Sequence, residues 1–424
     1  MPGTGGMESN CDVVITGLGV VSPIGIGKDA FWASFLEKRS GVRRLPVDLG
    51  GPYPPPFGGV VTGFEPKKYV PRKQMKVMSI DITLGFAAAD LAVSDAGIKP
   101  GAVDPERFGV TYGADMIFAE LPELVDAFRA CAADGRFDFP SWGTKGIPSM
   151  FPLWMLKYLP NMPACHIAIA LDARGPSNSL TMNDTSSLAA VSEAAQSIRR
   201  GQADVMVAGG ASSRLNPCTW TRWQGNTFSR RCDDPAGACR PFDAGRDGMV
   251  FGEGAAALVL ESAAHAQARG ARPLAKLASV AAAFEPGASG QELRGDAIRR
   301  AIQEALRLAN LEPAAVGHVN AHGVSTIVDD RIEARAIHDA LGNVPVTAPK
   351  SFFGNLGAAG GAVEMVASVL AIEKGIIPPT LNYVRPDPDC PVRVVCEPTA
   401  GQAPALVLNH CATGQAMAAV LTAP

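Results

Sequence analysis

Apolar residues along this chain follow two alternating periods, one typical of buried strands and the other of helices. The run CDVVITGLGVVS at 11–22 is rich in β-branched residues and predicts a strand with a glycine-rich turn. The stretch 80–97 repeats its apolar residues at helical spacing and closes on a glycine, which predicts a helix. Further strands are predicted at 107–113, 203–210, 256–262, 274–284, 318–323, 344–348, 392–396, 405–409 and 416–422, and further helices at 28–38, 186–200, 263–269, 293–309, 330–341 and 362–374.

Strands and helices alternate in both parts of the chain, with a break near Pro273. This order predicts an α/β protein whose parallel or mixed sheet is covered by helices on both faces. Each part follows the plan strand, glycine turn, helix, strand, which suggests a duplicated architecture. The predicted division is 1–265 and 266–424, and the first part carries an aromatic, proline- and methionine-rich insertion at about 115–163.

Composition and charge narrow the possible partners and the compartment. The 424 residues are 47% hydrophobic and 19% charged, which allows a large buried core. A net charge of −3 gives no reason to expect a nucleic-acid partner, and no apolar run approaches the ~20 residues that span a bilayer. The first ten residues do not resemble a signal peptide, so we expect a cytoplasmic protein. Nine cysteines at irregular spacings, without a CxxC, predict reduced thiols and no metal site.

A small-residue turn within 177–190, SNSLTMNDTSSLAA, holds a single acid before an alanine-rich helix begins. Many enzymes place a nucleophile on such a turn, because the amide groups at a helix N-terminus stabilise negative charge. In this chain the position carries the carboxylate of Asp184.

Several spaced blocks of the sequence together resemble the β-ketoacyl-acyl-carrier-protein synthases, the condensing enzymes of fatty-acid and polyketide assembly. The resemblance spans almost the whole chain. It implies a thiolase-like fold, in which two similar α/β halves form a five-layered αβαβα stack, and it implies a dimer. The blocks are VVITGLGVVSPIG (13–25), GPSNSLTMNDTSSLAA (175–190), ADVMVAGG (203–210), RPFDAGRDGMVFGEGAAALVLE (240–261), VNAHGVST (319–326), PKSFFGNLGAAGGAVE (349–364) and IPPTLNY (377–383).

The family's active site contains a cysteine, two histidines and a lysine, and this chain departs from that set. The resemblance places the cysteine position at Asp184, the first histidine at His322, the lysine at Lys350 and the second histidine at Asn355. The C-terminal turn that gates the acyl pocket in the family, usually NSFGFGG, reads NHCATGQ at 409–415.

Asp184 cannot replace the cysteine as a lasting acyl carrier. Acyl transfer from a thioester to a carboxylate would give a mixed anhydride, a high-energy species that equilibrium opposes. The helix N-terminus favours the ionised acid, and we expect it to form ion pairs with His322 and Lys350. Asp184 is then either a structural anion or a base or orienting group in altered chemistry.

His322 and Asn355 retain a possible route to decarboxylation. Initiating type III members of the wider superfamily use a Cys-His-Asn set, in which the histidine and asparagine are linked to decarboxylation. A neutral amide donor can still bind a developing oxyanion. The alternative for Asn355 is a turn residue that caps the backbone.

Other polar residues also have structural alternatives. Lys350 either takes part in the site or offsets the charge of Asp184 or Glu333. Asp330 and Glu333 match acidic positions behind the family's histidine and are predicted to be structural.

The family's bulky gate is lost, which should open space in the acyl pocket. A relocated nucleophile, Cys411 with His410 as its base, is conceivable, but adjacent residues of an extended segment point in opposite directions. The residues predicted to shape the substrate pocket are Met182, Phe352, Phe353, Cys411 and Thr413.

These departures favour a subunit that cannot elongate chains alone. We expect a chain-length-factor-like partner in a ketosynthase heterodimer of fatty-acid or polyketide biosynthesis, by loose analogy, since such factors typically carry glutamine at the cysteine position. The alternative is a freestanding enzyme on acyl-carrier-protein or CoA thioesters. It would be a malonyl decarboxylase, or an acyltransferase or cyclase that uses Asp184 as a base.

The expected partners are an acyl carrier protein and either a ketosynthase subunit or a second copy of the chain. No bound cofactor is expected, because the substrates arrive on the phosphopantetheine of the carrier protein or on CoA. The basic segment KKYVPRKQMK at 67–76 either docks the acidic carrier protein or is simply a solvated surface.

Overall fold

The computed structural model describes residues 12–45, 57–222, 227–287 and 292–424, and Cys11 lies outside them. The strands are β1 (Val13–Ser22), β2 (Gly25–Ile26), β3 (Val42–Arg44), β4 (Phe57–Gly59), β5 (Phe108–Ala114), β6 (Ala132–Ala133), β7 (Arg136–Phe137), β8 (Ser177–Leu180), β9 (Val205–Ser213), β10 (Glu253–Ser262), β11 (Ala275–Phe284), β12 (His318–Asn320), β13 (Pro345–Thr347), β14 (Ile376–Ile377), β15 (Arg393–Val394), β16 (Thr399–Ala400), β17 (Ala405–His410) and β18 (Gln415–Thr422). The α-helices are α1 (Lys28–Leu36), α2 (Ile80–Asp95), α3 (Leu121–Ala130), α4 (Met162–Leu171), α5 (Ser186–Arg199), α6 (Pro217–Arg222), α7 (Ala263–Ala268), α8 (Asp296–Ala309), α9 (Ile327–Leu341), α10 (Lys350–Phe353) and α11 (Gly360–Lys374).

A mixed sheet runs through both parts of the chain in the order β15-β13-β12-β17-β18-β11-β1-β10-β9-β5-β8, with β2 paired to β1. In the first part β8, β5 and β9 are parallel, β10 is antiparallel to β9, and β1 is antiparallel to β10. The second part repeats this plan: β13, β12 and β17 are parallel, β18 is antiparallel to β17, and β11 is antiparallel to β18. The two halves join where β1 pairs with β11. Val14 and Ile15 of β1 lie opposite Lys276 and Ala275 of β11.

Side chains on the two faces of each strand enter different hydrophobic cores, as the two-residue period of a strand requires. Val205 and Val207 of β9 pack into the core beneath α2 and α4. Leu406 and Leu408 of β17 pack beneath α8 and α9. The opposite faces of both strands enter a central core that contains α5 and α11.

The layers are therefore α2 and α4, the first half of the sheet, α5 and α11, the second half of the sheet, and α8 and α9. This arrangement is the five-layered αβαβα stack, and it confirms the α/β class and the thiolase-like fold predicted from the sequence. The central layer is buried by sheets on both sides, so residues at the N-termini of its helices lie deep inside the molecule.

Several elements differ from their prediction. β8 was not predicted, because SNSL is polar, and its side chains are half-buried or exposed at the end of the sheet. The insertion contains the short hairpin of β6 and β7. α10 forms in a stretch for which no element was predicted. Other boundaries move by a few residues, as for β9, which continues three residues past its predicted end.

The described part of the chain has no helix long and apolar enough to cross a membrane. Within the same residues, no group of three or more His, Cys, Asp or Glu side chains is placed to hold a metal ion.

Candidate active site

The turn between β8 and α5 holds Asp184 at the N-terminus of the central helix. Residues Asn183–Thr185 form a short 3₁₀ turn, and Asn183 has a left-handed backbone with φ of 52°, which asparagine tolerates. The hydroxyl of Ser186 accepts the Met182 N–H at 2.8 Å and donates to the Asn183 carbonyl at 2.6 Å. This closed turn leaves Asp184 only 4% exposed.

The carboxylate of Asp184 is bound by Arg214, which follows the end of β9. Nη1 of Arg214 donates to Oδ1 of Asp184 at 3.0 Å, and its Nε donates to Oδ2 of Asp115 at 3.1 Å. The two acids raise the pKa of the guanidinium, although burial opposes them. The prediction that Asp184 forms ion pairs with His322 and Lys350 was wrong, because the guanidinium of Arg214 binds this carboxylate instead.

The glycine-rich turn after α10 lies directly against this pair. A Cβ atom at Gly357 would stand 2.1 Å from Oδ2 of Asp115 and 2.3 Å from Nε of Arg214, and the residue has φ of 56°. Both the space and the backbone conformation therefore require glycine at this position. The turn seals the ion pair from one side.

Lys350 connects His322 to a buried glutamate of α11. Its Nζ lies 3.0 Å from Nδ1 of His322 and donates to Oε1 of Glu364 in a short hydrogen bond. Asn409 donates to the other carboxylate oxygen of Glu364 at 2.6 Å. Burial raises the pKa of Glu364 to about 7, although both partners favour its anion. The structural partner of Lys350 is thus Glu364, and neither Asp184 nor Glu333 forms an ion pair with it.

His322 is held as a neutral imidazole with a defined tautomer. Burial lowers the pKa of His322 well below its ordinary value, and the charges of Lys350, His410 and Arg214 lower it further. Because the ammonium of Lys350 has only protons to donate, Nδ1 of His322 must accept, and Nε2 then carries the ring proton. Such an N–H group is suited to bind a carbonyl oxygen that gains negative charge.

Two acids of α9 shape the backbone turn that carries His322. Glu333 accepts the N–H groups of His322 at 2.7 Å and Gly323 at 2.8 Å. Asp330 accepts the N–H groups of Phe242 at 2.8 Å and Ser325 at 2.9 Å. Both acids therefore have the structural positions that were predicted for them.

Asn355 combines two possible roles. Its Oδ1 accepts the Gly357 N–H at 3.0 Å, which caps the glycine-rich turn. Its backbone N–H donates to Val250 at 2.7 Å and fixes the position of the residue. Nδ2 has no partner in the described part of the chain, so this N–H₂ group is available to a ligand.

The family of this chain follows from comparison of its sequence with known families. The profile of the β-ketoacyl synthase N-terminal domain matches residues 10–266, and that of the C-terminal domain matches 274–384. The chain belongs to the β-ketoacyl synthase family. The family predicted from the sequence blocks is confirmed.

Relatives of this β-ketoacyl synthase chain include enzymes named for both fatty-acid and polyketide assembly. It is 33% identical to 3-oxoacyl-[acyl-carrier-protein] synthase 2 of Synechocystis sp. over 94% of this chain and 93% of the relative. It is 35% identical to granaticin polyketide putative beta-ketoacyl synthase 1 of Streptomyces violaceoruber over 89% of this chain and 90% of the relative. The solved ishigamide ketosynthase/chain length factor superposes with a TM-score of 0.85 at 27% identity, covering 98% of this chain and 99% of the other.

The residues predicted to shape a substrate pocket occupy different surroundings. Phe352 and Phe353 are fully buried and pack against α1, where the ring of Phe352 lies 4.7 Å from that of Phe35. This packing gives them a core role that needs no substrate. Met182 is partly buried beside the central core.

Cys411 and Thr413 lie on the C-terminal turn of this β-ketoacyl synthase homologue. The Cys411 Sγ is 2.8 Å from Oγ1 of Thr413 and 3.7 Å from Oε1 of Gln415. Neither contact supplies a base. Cys411 and His410 border the same small cavity, and β17 ends at His410.

Three residues of the site were not predicted from the sequence. Arg214 is a lone cation between two apolar stretches just after β9, and Glu364 is a lone acid within the apolar start of α11. Asp115 directly follows β5, whose neighbour in the sheet is β9. A charge isolated in an apolar context needs a partner when it is buried, and that signal was present for all three.

Proposed function

We propose that this β-ketoacyl synthase homologue does not elongate acyl chains alone and acts as a chain-length-factor-like subunit of a ketosynthase heterodimer. The observation that carries the proposal is the buried hydrogen bond between Asp184 and Arg214. The position that would need a free thiolate holds a carboxylate that is paired with a buried guanidinium. An acyl group there would be a mixed anhydride, less stable than the thioester from which it came.

The ion pair also argues against Asp184 as a base. Oδ1 is engaged by Arg214, and a proton taken up by this carboxylate would remove one charge of the buried ion pair. An acyltransferase or cyclase that depends on Asp184 is therefore the weaker alternative.

An exposed apolar face supports a partner subunit. β8 is the end strand of the sheet, and an exposed strand edge can pair with another chain. The insertion before it and α4 expose many large apolar side chains, more than solvent-facing helices usually carry. This apolar face consists of Met116, Leu121, Val125, Phe128, Phe137, Phe139, Ile147, Phe151, Leu153, Met155 and Ile169.

A basic surface supports docking of an acidic acyl carrier protein. Lys68 is paired with Glu65, whereas the described residues offer no acidic partner to Lys67, Arg72 and Lys73. All of these side chains are exposed. A cluster of unpaired cations speeds encounter with an acidic protein and with a phosphopantetheine phosphate.

Co-expression with a cysteine-bearing synthase encoded beside this protein tests the subunit proposal. We expect a one-to-one complex in native mass spectrometry after purification through a tag on this chain. A synthase from an unrelated pathway is the matched control and should not be retained. Isolation of only the homodimer, with the synthase fully in the unbound fraction, would rule out the subunit role.

A second candidate, a malonyl-thioester decarboxylase, is favoured by the preserved His322–Lys350 pair. His322 offers Nε2–H and Asn355 offers Nδ2–H₂, two neutral donors for the thioester oxygen of an enolate. Loss of CO₂ breaks the bond between the carboxyl carbon and C2, and the electron pair moves into the enolate, which then takes up a proton at C2. No acyl-enzyme is needed.

Incubation with malonyl-carrier protein tests this second candidate. We expect CO₂ release and acetyl-carrier protein as the product, with a rate that His322→Ala reduces. Equal rates in the wild type and the variant would exclude a decarboxylase that uses this site.

A further inference from the structure

A second histidine, which the proposed function leaves unused, stands behind His322. His322 follows β12, and His410 is the last residue of β17. These strands are parallel neighbours, so their carboxyl ends meet at one edge of the sheet. The two ring centroids are 4.6 Å apart with their planes inclined by 58°.

Glu333 ties the two histidines together. Its Oε1 accepts the backbone N–H of His322, and its Oε2 lies 3.6 Å from Nε2 of His410. All three side chains are buried. One carboxylate therefore fixes the backbone of His322 and attracts the ring of His410.

The surroundings of the two rings shift their pKa values in opposite directions. Burial lowers the pKa of His410, but Glu333, with a smaller contribution from Asp329, outweighs burial and raises it despite the charge of Lys350. The pKa of His322 is lowered well below its ordinary value. Glu285 and Cys411 border the same small cavity as His410.

We propose that His410 is a positioning residue for His322: its protonated ring, anchored by Glu333, keeps His322 neutral and limits the movement of the neighbouring ring. Lys350 sets the tautomer from the Nδ1 side, and His410 adds a second positive charge at the ring. His322 then presents Nε2–H to the substrate oxygen and does not become an imidazolium. This role rests on the proposed decarboxylation, but the charge state of His322 can be measured without it.

Histidine-selective ¹⁵N labelling and NMR titration test the proposal directly. The chain has six histidines, and His322→Gln identifies the resonance of His322. We expect His410→Asn to raise the titration midpoint of His322 by about one pH unit, because a nearby like charge is removed. His410→Lys restores a positive charge without the ring and should return the midpoint towards that of the wild type.

The exposed His338 lies on the same helix as Glu333, so His338→Asn is the matched control and should leave His322 unchanged. If malonyl-carrier protein is decarboxylated, the acidic limb of the pH–rate profile of His410→Asn should move to higher pH together with the titration midpoint of His322. Absence of turnover in the wild type would reject the proposed decarboxylase activity, and the NMR titration alone would then test the role of His410. Identical His322 titrations in folded wild type, His410→Asn and His410→Lys would overturn the role of His410.

Discussion

Nη1 of Arg214 lies 3.0 Å from Oδ1 of Asp184, and each residue is only 4% exposed. This contact turns the nucleophile position of a β-ketoacyl synthase fold into half of a buried ion pair. Asp115 holds the other side of the guanidinium, and the glycine at 357 lets the next turn close over it. The carboxylate at the helix N-terminus is therefore bound by a cation of the protein itself.

Removal of the cation should strongly destabilise the fold. Arg214→Met leaves the buried carboxylate of Asp184 and the partly buried one of Asp115 without their cation, and we expect the free energy of unfolding to fall by about 3–5 kcal/mol. Urea denaturation followed by circular dichroism measures the change. Arg294→Met, which removes an exposed arginine, should change it by less than about 0.5 kcal/mol. A loss below about 1 kcal/mol in Arg214→Met would contradict a buried ion pair.

His322 should govern any decarboxylation by this protein. His322→Ala removes the Nε2–H donor, and we expect the turnover of malonyl-carrier protein to fall by about 100-fold. The control His338→Ala changes an exposed histidine of α9 and should keep the wild-type rate. The measurement is the release of CO₂ per enzyme. A rate within twofold of the wild type for His322→Ala would show that decarboxylation occurs elsewhere.

Asp81 should make stability depend on pH. Burial raises the pKa of Asp81 to about 7, although the Ser213 N–H donates to its carboxyl group. The folded protein therefore holds a proton that the unfolded chain loses near pH 4, so this residue's contribution to stability falls as pH rises to 7. The free energy of unfolding of Asp81→Asn, minus that of the wild type, should rise by on the order of 2 kcal/mol between pH 5 and pH 8.

Urea denaturation at the two pH values measures that difference. The exposed Asp126→Asn on α3 is the matched control and should show no such gain. If the stability of Asp81→Asn relative to the wild type fell between pH 5 and pH 8, the buried carboxyl group would be stabilised as its anion.

The apolar face should decide subunit pairing. Phe139→Asp and Ile169→Asp place a charge at side chains that are 73% and 70% exposed, and we expect each to weaken pairing at least tenfold. Sedimentation velocity over a concentration series gives the dissociation constant. Val384→Asp changes an apolar side chain that is 76% exposed and lies outside this face, and it should pair normally. Wild-type pairing in both face variants would place the interface elsewhere.

Local patterns predicted the alternation of strands and helices and carried the resemblance to the family, and that resemblance in turn implied the layers. β-branched runs, helical spacing and the ordered blocks around Asp184, His322 and Lys350 are visible in a short window of the chain. β8 was missed because an end strand with one exposed face need not be apolar, and its polar SNSL resembles a turn.

The charge pairing of the site could not be read from such windows. Arg214 lies 30 residues after Asp184, and only the pairing of β9 with β5 brings it beside Asp115 as well. Lys350 faces Glu364 because α10 and α11 fold back around the glycine-rich turn. The ring contact of His410 with His322 likewise depends on two strands that are neighbours in the sheet but distant in the chain.

Intact-protein mass spectrometry after incubation with an acyl-carrier-protein donor tests the central claim most directly. A cysteine-bearing partner synthase in the same sample serves as the positive control for loading. We predict that the partner gains the mass of the acyl group and that this chain keeps its own mass. An acyl adduct on this chain, mapped to Asp184 or Cys411, would contradict the account.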